Sequence, residues 1–183
     1  MRNSYLVSRN FAIGSGTYGN VTNVTVEDSR IGDEYGSAPW AIKIKSHCPA
    51  GGVVSNITFR RLNIGRIAPN SYQQPHGGMV LSMYEDYGGG CGKTQGTNGA
   101  GPTPAPTQIE NIFFRNISAI GAVWAANPIE GVEATGGAPI RGLHFENVSF
   151  GDVSSTQPWL CSNVVGTVVT GRMNPPLPAE CGT

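Results

Sequence analysis

Charge is scarce in this chain. Only 13% of its 183 residues are Asp, Glu, Lys or Arg, and 12 basic side chains balance 12 acidic ones. A neutral chain with no basic block is not expected to partner nucleic acid or an anionic membrane surface. No apolar run reaches transmembrane length. The opening MRNSYLVSRNF lacks the apolar core of a signal peptide. The expectation is therefore that the chain is not secreted, or that it is a piece of a longer precursor. The only imidazoles are His47, His76 and His144. None stands at a spacing that suggests a triad with Ser, Cys or Asp, and no HExxH pattern occurs, so no metal or other cofactor is expected. Helical periodicity is missing as well.

Repetition is what the chain does have. Asn23-Val-Thr-Val-Glu-Asp28 returns as Asn56-Ile-Thr-Phe-Arg-Arg61, as Asn111-Ile-Phe-Phe-Arg-Asn116 and as Gly142-Leu-His-Phe-Glu-Asn147. The intervals are 33, 55 and 31 residues. The long one is a normal period plus a Gly/Pro-rich insertion at about 85–106. A second short apolar run follows each start: AIKIK, GMVLSM, GVEAT and LCSNVVGTVV. Two or more strands per repeat, stacked repeat on repeat, predict an all-β chain. The expected fold is a right-handed parallel β-helix formed as one domain over residues 1–183. Twenty-six glycines suit the tight turns each coil needs.

The repeat also predicts its own packing. Val24 and Val26, Ile57 and Phe59, Ile112 and Phe114, and Leu143 and Phe145 fill the same two slots. Alternation points each pair to one face, so stacking makes columns about 4.8 Å apart. The Asn heading three repeats would form an amide ladder. The slot five residues on, with Asp28, Arg61, Asn116 and Asn147, would form a second, imperfect one. Sequons at Asn20, Asn23, Asn56, Asn116 and Asn147 mostly fall on these slots, so their density fits β-helix chemistry as well as glycosylation. His144, opposite in phase to Leu143 and Phe145, is expected on the surface.

Four cysteines, Cys48, Cys91, Cys161 and Cys181, match no zinc or redox spacing. A Cys161–Cys181 disulfide is expected to clip the C-terminal tail, with Cys48–Cys91 as a second pair. Four buried thiols are the alternative, because connectivity does not follow from sequence. Gly88-Gly-Gly-Cys-Gly-Lys-Thr94 superficially resembles a phosphate loop. Tyr87 stands where the first glycine should, and the following segment cannot open a helix, so a loop insert is the better reading.

Two places bear on chemistry. In AIKIK, Lys43 and Lys45 alternate with Ile42 and Ile44, so both ammonium groups are expected on one outer face. Such a pair is either an anion site or a solvated surface pair. Among the acids, Glu27 and Asp28 are adjacent in a strand and are expected to face opposite sides. Glu85 and Asp86 lie in the insertion beside Tyr84 and Tyr87.

IGSG, NVTNVTVEDS, AIKIK and VVSNITFRRLNI, then MVLSMY, PTQIENIFFRNIS, PIRGLHFENVSF and WLCSNVVGTV, resemble in this order the second half of glycoside hydrolase family 28, the polygalacturonases. The resemblance implies a secreted, cofactor-free β-helix that hydrolyses α-linked galacturonan with inversion, using carboxyl groups as acid and base. It implies that Lys43 and Lys45 stand where the family's Arg-Ile-Lys motif binds a uronate carboxylate, with Tyr84 or Tyr87 lining the cleft. Three departures accompany it. The family's catalytic aspartates precede the segment matched and have no counterpart in this sequence. Arg9 occupies the place of the family His. Lys43 replaces an Arg, trading a planar fork for a point charge. A monomer is expected of the full-length protein, and self-association of a solenoid cut mid-array. The alternatives are a non-catalytic β-helix module binding acidic polysaccharide through Arg9, Lys43 and Lys45, and a purely structural solenoid. A calcium-dependent lyase of the same fold would need an acidic cluster that the sequence does not display.

Overall fold

A computed structural model of the chain describes residues 1–6, 10–14, 17–33, 35, 40–46, 51–67, 79–84, 107–122, 127–132, 140–151 and 158–182. The 85–106 insertion lies outside these residues, as do Arg9, His47, Cys48, His76, Tyr87, Cys91 and the Gly88–Thr94 run. In chain order the strands are β1 (Tyr5–Leu6), β2 (Phe11–Ile13), β3 (Val21–Thr22), β4 (Thr25–Ile31), β5 (Trp40–Lys45), β6 (Val53–Ile67) and β7 (Met79–Tyr84). They continue with β8 (Gln108–Ala122), β9 (Asn127–Glu130), β10 (Ile140–Phe150), β11 (Trp159–Ser162), β12 (Val164–Val165) and β13 (Val168–Asn174). The described residues contain no α-helix; a single 3-10 turn, Ala179–Cys181, follows the last strand.

The strands sort into two parallel sheets. The large one runs β1-β4-β6-β8-β10-β12, with β3 against β6 and β13 against β10; the small one runs β11-β9-β7-β5-β2. From β4 to β11 the chain alternates between them, one visit to each per repeat. The register follows the sequence repeat: Val26 pairs with Phe59, Phe59 with Phe114 and Phe114 with Phe145. Pairings of Tyr5 with Arg30 and Phe145 with Val169 extend the array by one strand at each end, which the sequence repeat did not reveal.

Stacked slots make a stacked core. Phe59 and Phe114 lie with centroids 5.4 Å apart and planes 6° apart, and Phe114 and Phe145 at 5.0 Å and 15°. Phe11 meets Phe59 edge-on at one end, and Trp159 meets Phe145 edge-on at the other. Both belong to the small sheet, so the aromatic column joins the two inner faces. Offset and edge contacts suit the ring quadrupole and add to the gain from burial. His144 stands outside, half-buried and stacked on Phe113 at 4.6 Å.

Two columns of residues in the left-handed region bend the long strands at fixed heights. Asn23, Asn56 and Asn111 have φ of 59°, 54° and 54°, continued by Gly142 and Gly166. Asp28, Arg61, Asn116 and Asn147 have φ of 50°, 52°, 52° and 52°, continued by Gly171. Asn tolerates this conformation better than other side chains, and glycine adopts it without steric cost. In the second column the Asn147 amide donates to Asn116 Oδ1 at 3.3 Å, a rung of the expected ladder.

These corners correct one expectation. Glu27 and Asp28 do not face opposite sides, because the positive φ at Asp28 breaks the strand's alternation. Both carboxylates reach Arg61, whose Nη2 donates to Glu27 Oε2 at 3.0 Å and to Asp28 Oδ2 at 2.8 Å. Arg60 Nε donates to Glu27 at 2.6 Å.

Two strand assignments also shift. The third small-sheet strand is β9, which ends just before GVEAT and contains Pro128; Gly131 and Val132 are in no strand, and Glu133–Thr135 lie outside the described residues. Proline gives no N–H to a ladder and is rare inside sheets, which hides this strand from pattern reading. Here the buried Asn127 side chain takes over, accepting from Leu81 N at 2.9 Å and donating to Pro158 O at 3.1 Å. LCSNVVGTVV, in turn, is not one strand. It turns at Asn163, φ 51°, and passes from β11 in the small sheet to β12 and β13 in the large one.

Candidate functional site

The small sheet positions the residues singled out for chemistry. Inward, Ile42, Ile44, Leu81, Met83 and Ile129 are buried in the core. Outward side chains therefore come from the alternate positions: Lys43 and Lys45 on β5, Ser82 and Tyr84 on β7, and Glu130 on β9. The register pairs Lys43 with Ser82, Lys45 with Tyr84, and Tyr84 with Glu130. Two lysines, a phenol, a hydroxyl and a carboxyl are thus gathered from three strands onto one face.

Both lysines face outward as expected, but they are not a solvated pair. Lys43 is only 3% exposed. Its Nζ sits 4.0 Å from the Trp40 ring centroid and 6.0 Å from that of Tyr84. Aromatic faces attract a cation most where water is excluded. Burial and the like charge of Lys45 together pull the Lys43 ammonium down to about 8. Both effects disfavour its charged form, and an anion placed between the two lysines would relieve the second directly.

Ser82 was not singled out by the sequence. Its residue is fully buried and its Oγ makes no hydrogen bond. A buried hydroxyl without a partner is uncommon and costs free energy until something supplies one. Its place beside Lys43 makes it part of the same site. The only sequence signal was its phase, one residue before Met83 and two before Tyr84.

Support comes from behind the face. Gly14, at φ 102°, lies against β5, where an added Cβ would overlap the Lys45 carbonyl. Ser46, just past Lys45, shares a 2.6 Å hydrogen bond with Thr107 at the entry to β8. These contacts fix the backbone that carries Lys45.

Farther along the small sheet, β9, β11 and the C-terminal segment line an open cleft of about 630 Å³. The segment is held by the Cys161–Cys181 disulfide, whose Cα atoms lie 5.0 Å apart. That pairing agrees with the sequence expectation, and it is compatible with an oxidising, extracellular environment. Glu130 lines the cleft, and burial raises its carboxyl above the ordinary carboxylate range.

The structure therefore brings Lys43, Lys45 and Tyr84 together and adds Trp40, Ser82 and Glu130. Arg9, Tyr87, Glu85 and Asp86 are outside the described residues. Compared with known proteins, the chain matches no family model, no curated protein and no solved structure.

Proposed function

We propose that the chain is a right-handed parallel β-helix of the pectin-hydrolase kind, and that its small-sheet face binds a carboxylate of an acidic polysaccharide, of galacturonan type, between Lys43 and Lys45. What supports the winding is the regular alternation between two parallel sheets at the spacing of the sequence repeat. What carries the binding reading is a single grouping. Two outward lysines two residues apart are set against Trp40, Tyr84 and the unpartnered Ser82 hydroxyl. A uronate offers a carboxylate for the ammonium groups, hydroxyls for Ser82 and an apolar ring face for the aromatics.

Binding is the better-supported half of the resemblance. Inverting hydrolysis needs two carboxyl groups roughly 6.5–9.5 Å apart across the sugar. The described carboxyl in the lysine row is Glu130, two strands from Lys45. This favours the non-catalytic reading for the chain as it stands, that of an acidic-polysaccharide-binding module.

Affinity electrophoresis in gels containing polygalacturonate, with dextran as the neutral control, tests the reading. Retardation by polygalacturonate alone is expected, and it should weaken as salt screens the charges. Lys45→Ala should lower affinity about tenfold, or about 1.4 kcal/mol. No release of reducing ends is expected. Equal retardation by dextran, or an unchanged Lys45→Ala variant, would refute a carboxylate site.

A further inference from the structure

Lys43 is placed to act as an amine as well as a cation. It is 3% exposed, and its Nζ lies 4.0 Å from the Trp40 ring centroid. Its register partners on the flanking strands, Ala12 and Ser82, carry no charge, and Lys45 stands two residues along the same strand. Burial and that second ammonium bring Lys43 to about 8. At pH 8 about half of it is therefore the neutral amine, on the order of a hundredfold more than an ordinary lysine supplies. A lysine desolvated beside another cation is a recurrent arrangement for a nucleophilic amine.

The surroundings describe what that amine would hold. Ser82 Oγ is buried, has no hydrogen-bond partner and lies on the next strand in register with Lys43. Lys45 supplies a positive charge on the same face. A hydroxyl to donate and an ammonium to pair suit a small anion carried by Lys43 itself. On the other flank Ala12 adds only a methyl group. The reacting molecule has to be small and uncharged to pass the aromatic cover, and has to become anionic on meeting an amine. Carbon dioxide has this chemistry.

We propose that Lys43 is a carbon dioxide site: its amine takes up CO2 as a carbamate held by the Lys45 ammonium and the Ser82 hydroxyl, and the carbamate closes the face to uronate. In the step, the Nζ lone pair forms a C–N bond as one C=O π bond opens onto oxygen, and the displaced proton goes to water. Nothing is oxidised or reduced. Two like charges become an ion pair, so the repulsion between the lysines is replaced by attraction. The carbamate also puts a carboxylate where that of a uronate would sit. Its formation stands apart from the uronate reading, and only its effect on binding rests on that reading.

The chain has three lysines, Lys43, Lys45 and Lys93, which makes the site assignable. Carbon-13 NMR at pH 8 in labelled bicarbonate reads the carbamate, and trapping with a trialkyloxonium reagent followed by peptide mass mapping locates it. Lys43 should carry at least tenfold more adduct than Lys45 or Lys93, and Lys45→Met and Ser82→Ala should each lower it at least fivefold. Retardation by polygalacturonate at pH 8 should weaken at least threefold when bicarbonate replaces chloride at equal ionic strength. In Lys43→Arg, which keeps the charge but forms no carbamate, the two buffers should give the same retardation. No adduct on Lys43, equal adduct on all three lysines, or an adduct that neither Lys45→Met nor Ser82→Ala reduces would overturn the carbamate site. Adduct on Lys43 with unchanged retardation, or equal weakening in Lys43→Arg, would overturn the closure. Adduct on Lys43 in a protein that polygalacturonate fails to retard even without bicarbonate would overturn the uronate reading and leave the carbamate standing.

Discussion

The two sheets handle charge in opposite ways. At one end of the large sheet, Glu27 and Asp28 are matched by Arg2, Arg60 and Arg61 across neighbouring strands. The hydrogen bond from Arg61 and the positive charges around it hold Asp28 at about 2. That shift favours the charged form of Asp28, whereas on the small sheet burial and Lys45 disfavour the charged form of Lys43, which falls to about 8. One cluster settles its charges internally, whereas the other holds like charges together under aromatic cover. Backbone geometry follows the same division. The large sheet has strands of up to 15 residues, bent at two regular columns, while the small sheet uses strands of 3 to 6 residues. A repeated wall that matches its own charges forms the scaffold, and the less regular wall carries the buried lysine and the unpartnered Ser82 hydroxyl, as expected where function departs from local consistency.

Removing the scaffold's shared element should have the largest effect. Phe114 is 1% exposed and stacked between Phe59 and Phe145. Phe114→Ala should cost about 3–5 kcal/mol, read as a lowered urea midpoint. Because the aromatic column joins both inner faces, fluorescence of Trp159 and far-ultraviolet dichroism should lose signal together. Two separated transitions would show that the sheets are less interdependent than the shared core implies.

Lys43 offers the next test. Its folded value lies below the ordinary lysine value of 10.5. Between about 8 and 10.5 the unfolded chain therefore binds more protons than the folded one, and stability should rise with pH through that window. At about 1.4 kcal/mol per pH unit of displacement, the rise over the whole window should amount to roughly 3–4 kcal/mol. Lys43→Met keeps the length of the stem and removes the charge, so it should abolish the rise and stabilise the protein at pH 7. A urea midpoint in the wild type that stays flat or falls from pH 8 to pH 10 would contradict the buried-ammonium account.

Much of this division was legible in the sequence, and the failures are instructive. The four repeat starts gave the core slots and the register, because period-two alternation and a fixed interval are enough to align stacked strands. The lysine pair was legible for the same reason. Its burial was not, since the cover comes from Trp40, three residues earlier on the same strand and out of phase with Lys43, and from Tyr84 on the neighbouring strand. Alternation through Asp28 predicts opposite sides for Glu27 and Asp28, but the left-handed φ of Asp28 goes with the column and not with its own propensity. Pro128 concealed β9, and Ser82 carried no mark beyond its phase. Local pattern reached the scaffold; what it missed came from contacts between coils.

Asp28→Asn should have the smallest effect, and it probes the scaffold's side of the contrast. Asp28 in the folded chain sits at about 2, below its ordinary 3.8. The stabilisation this implies is present in full above 3.8 and is lost as pH falls through about 2. Asn keeps the side-chain shape and tolerates positive φ, so the corner should survive while Arg61 loses its charged partner. The cluster is open to solvent, where exposed ion pairs contribute little and salt screens them. The expected outcome at pH 7 is a midpoint close to wild type, with a shallower loss of stability on acidification below pH 4. A large drop at pH 7 would mean that the wall depends on its ion pairs, and that the columns of left-handed residues are not sufficient to hold its corners.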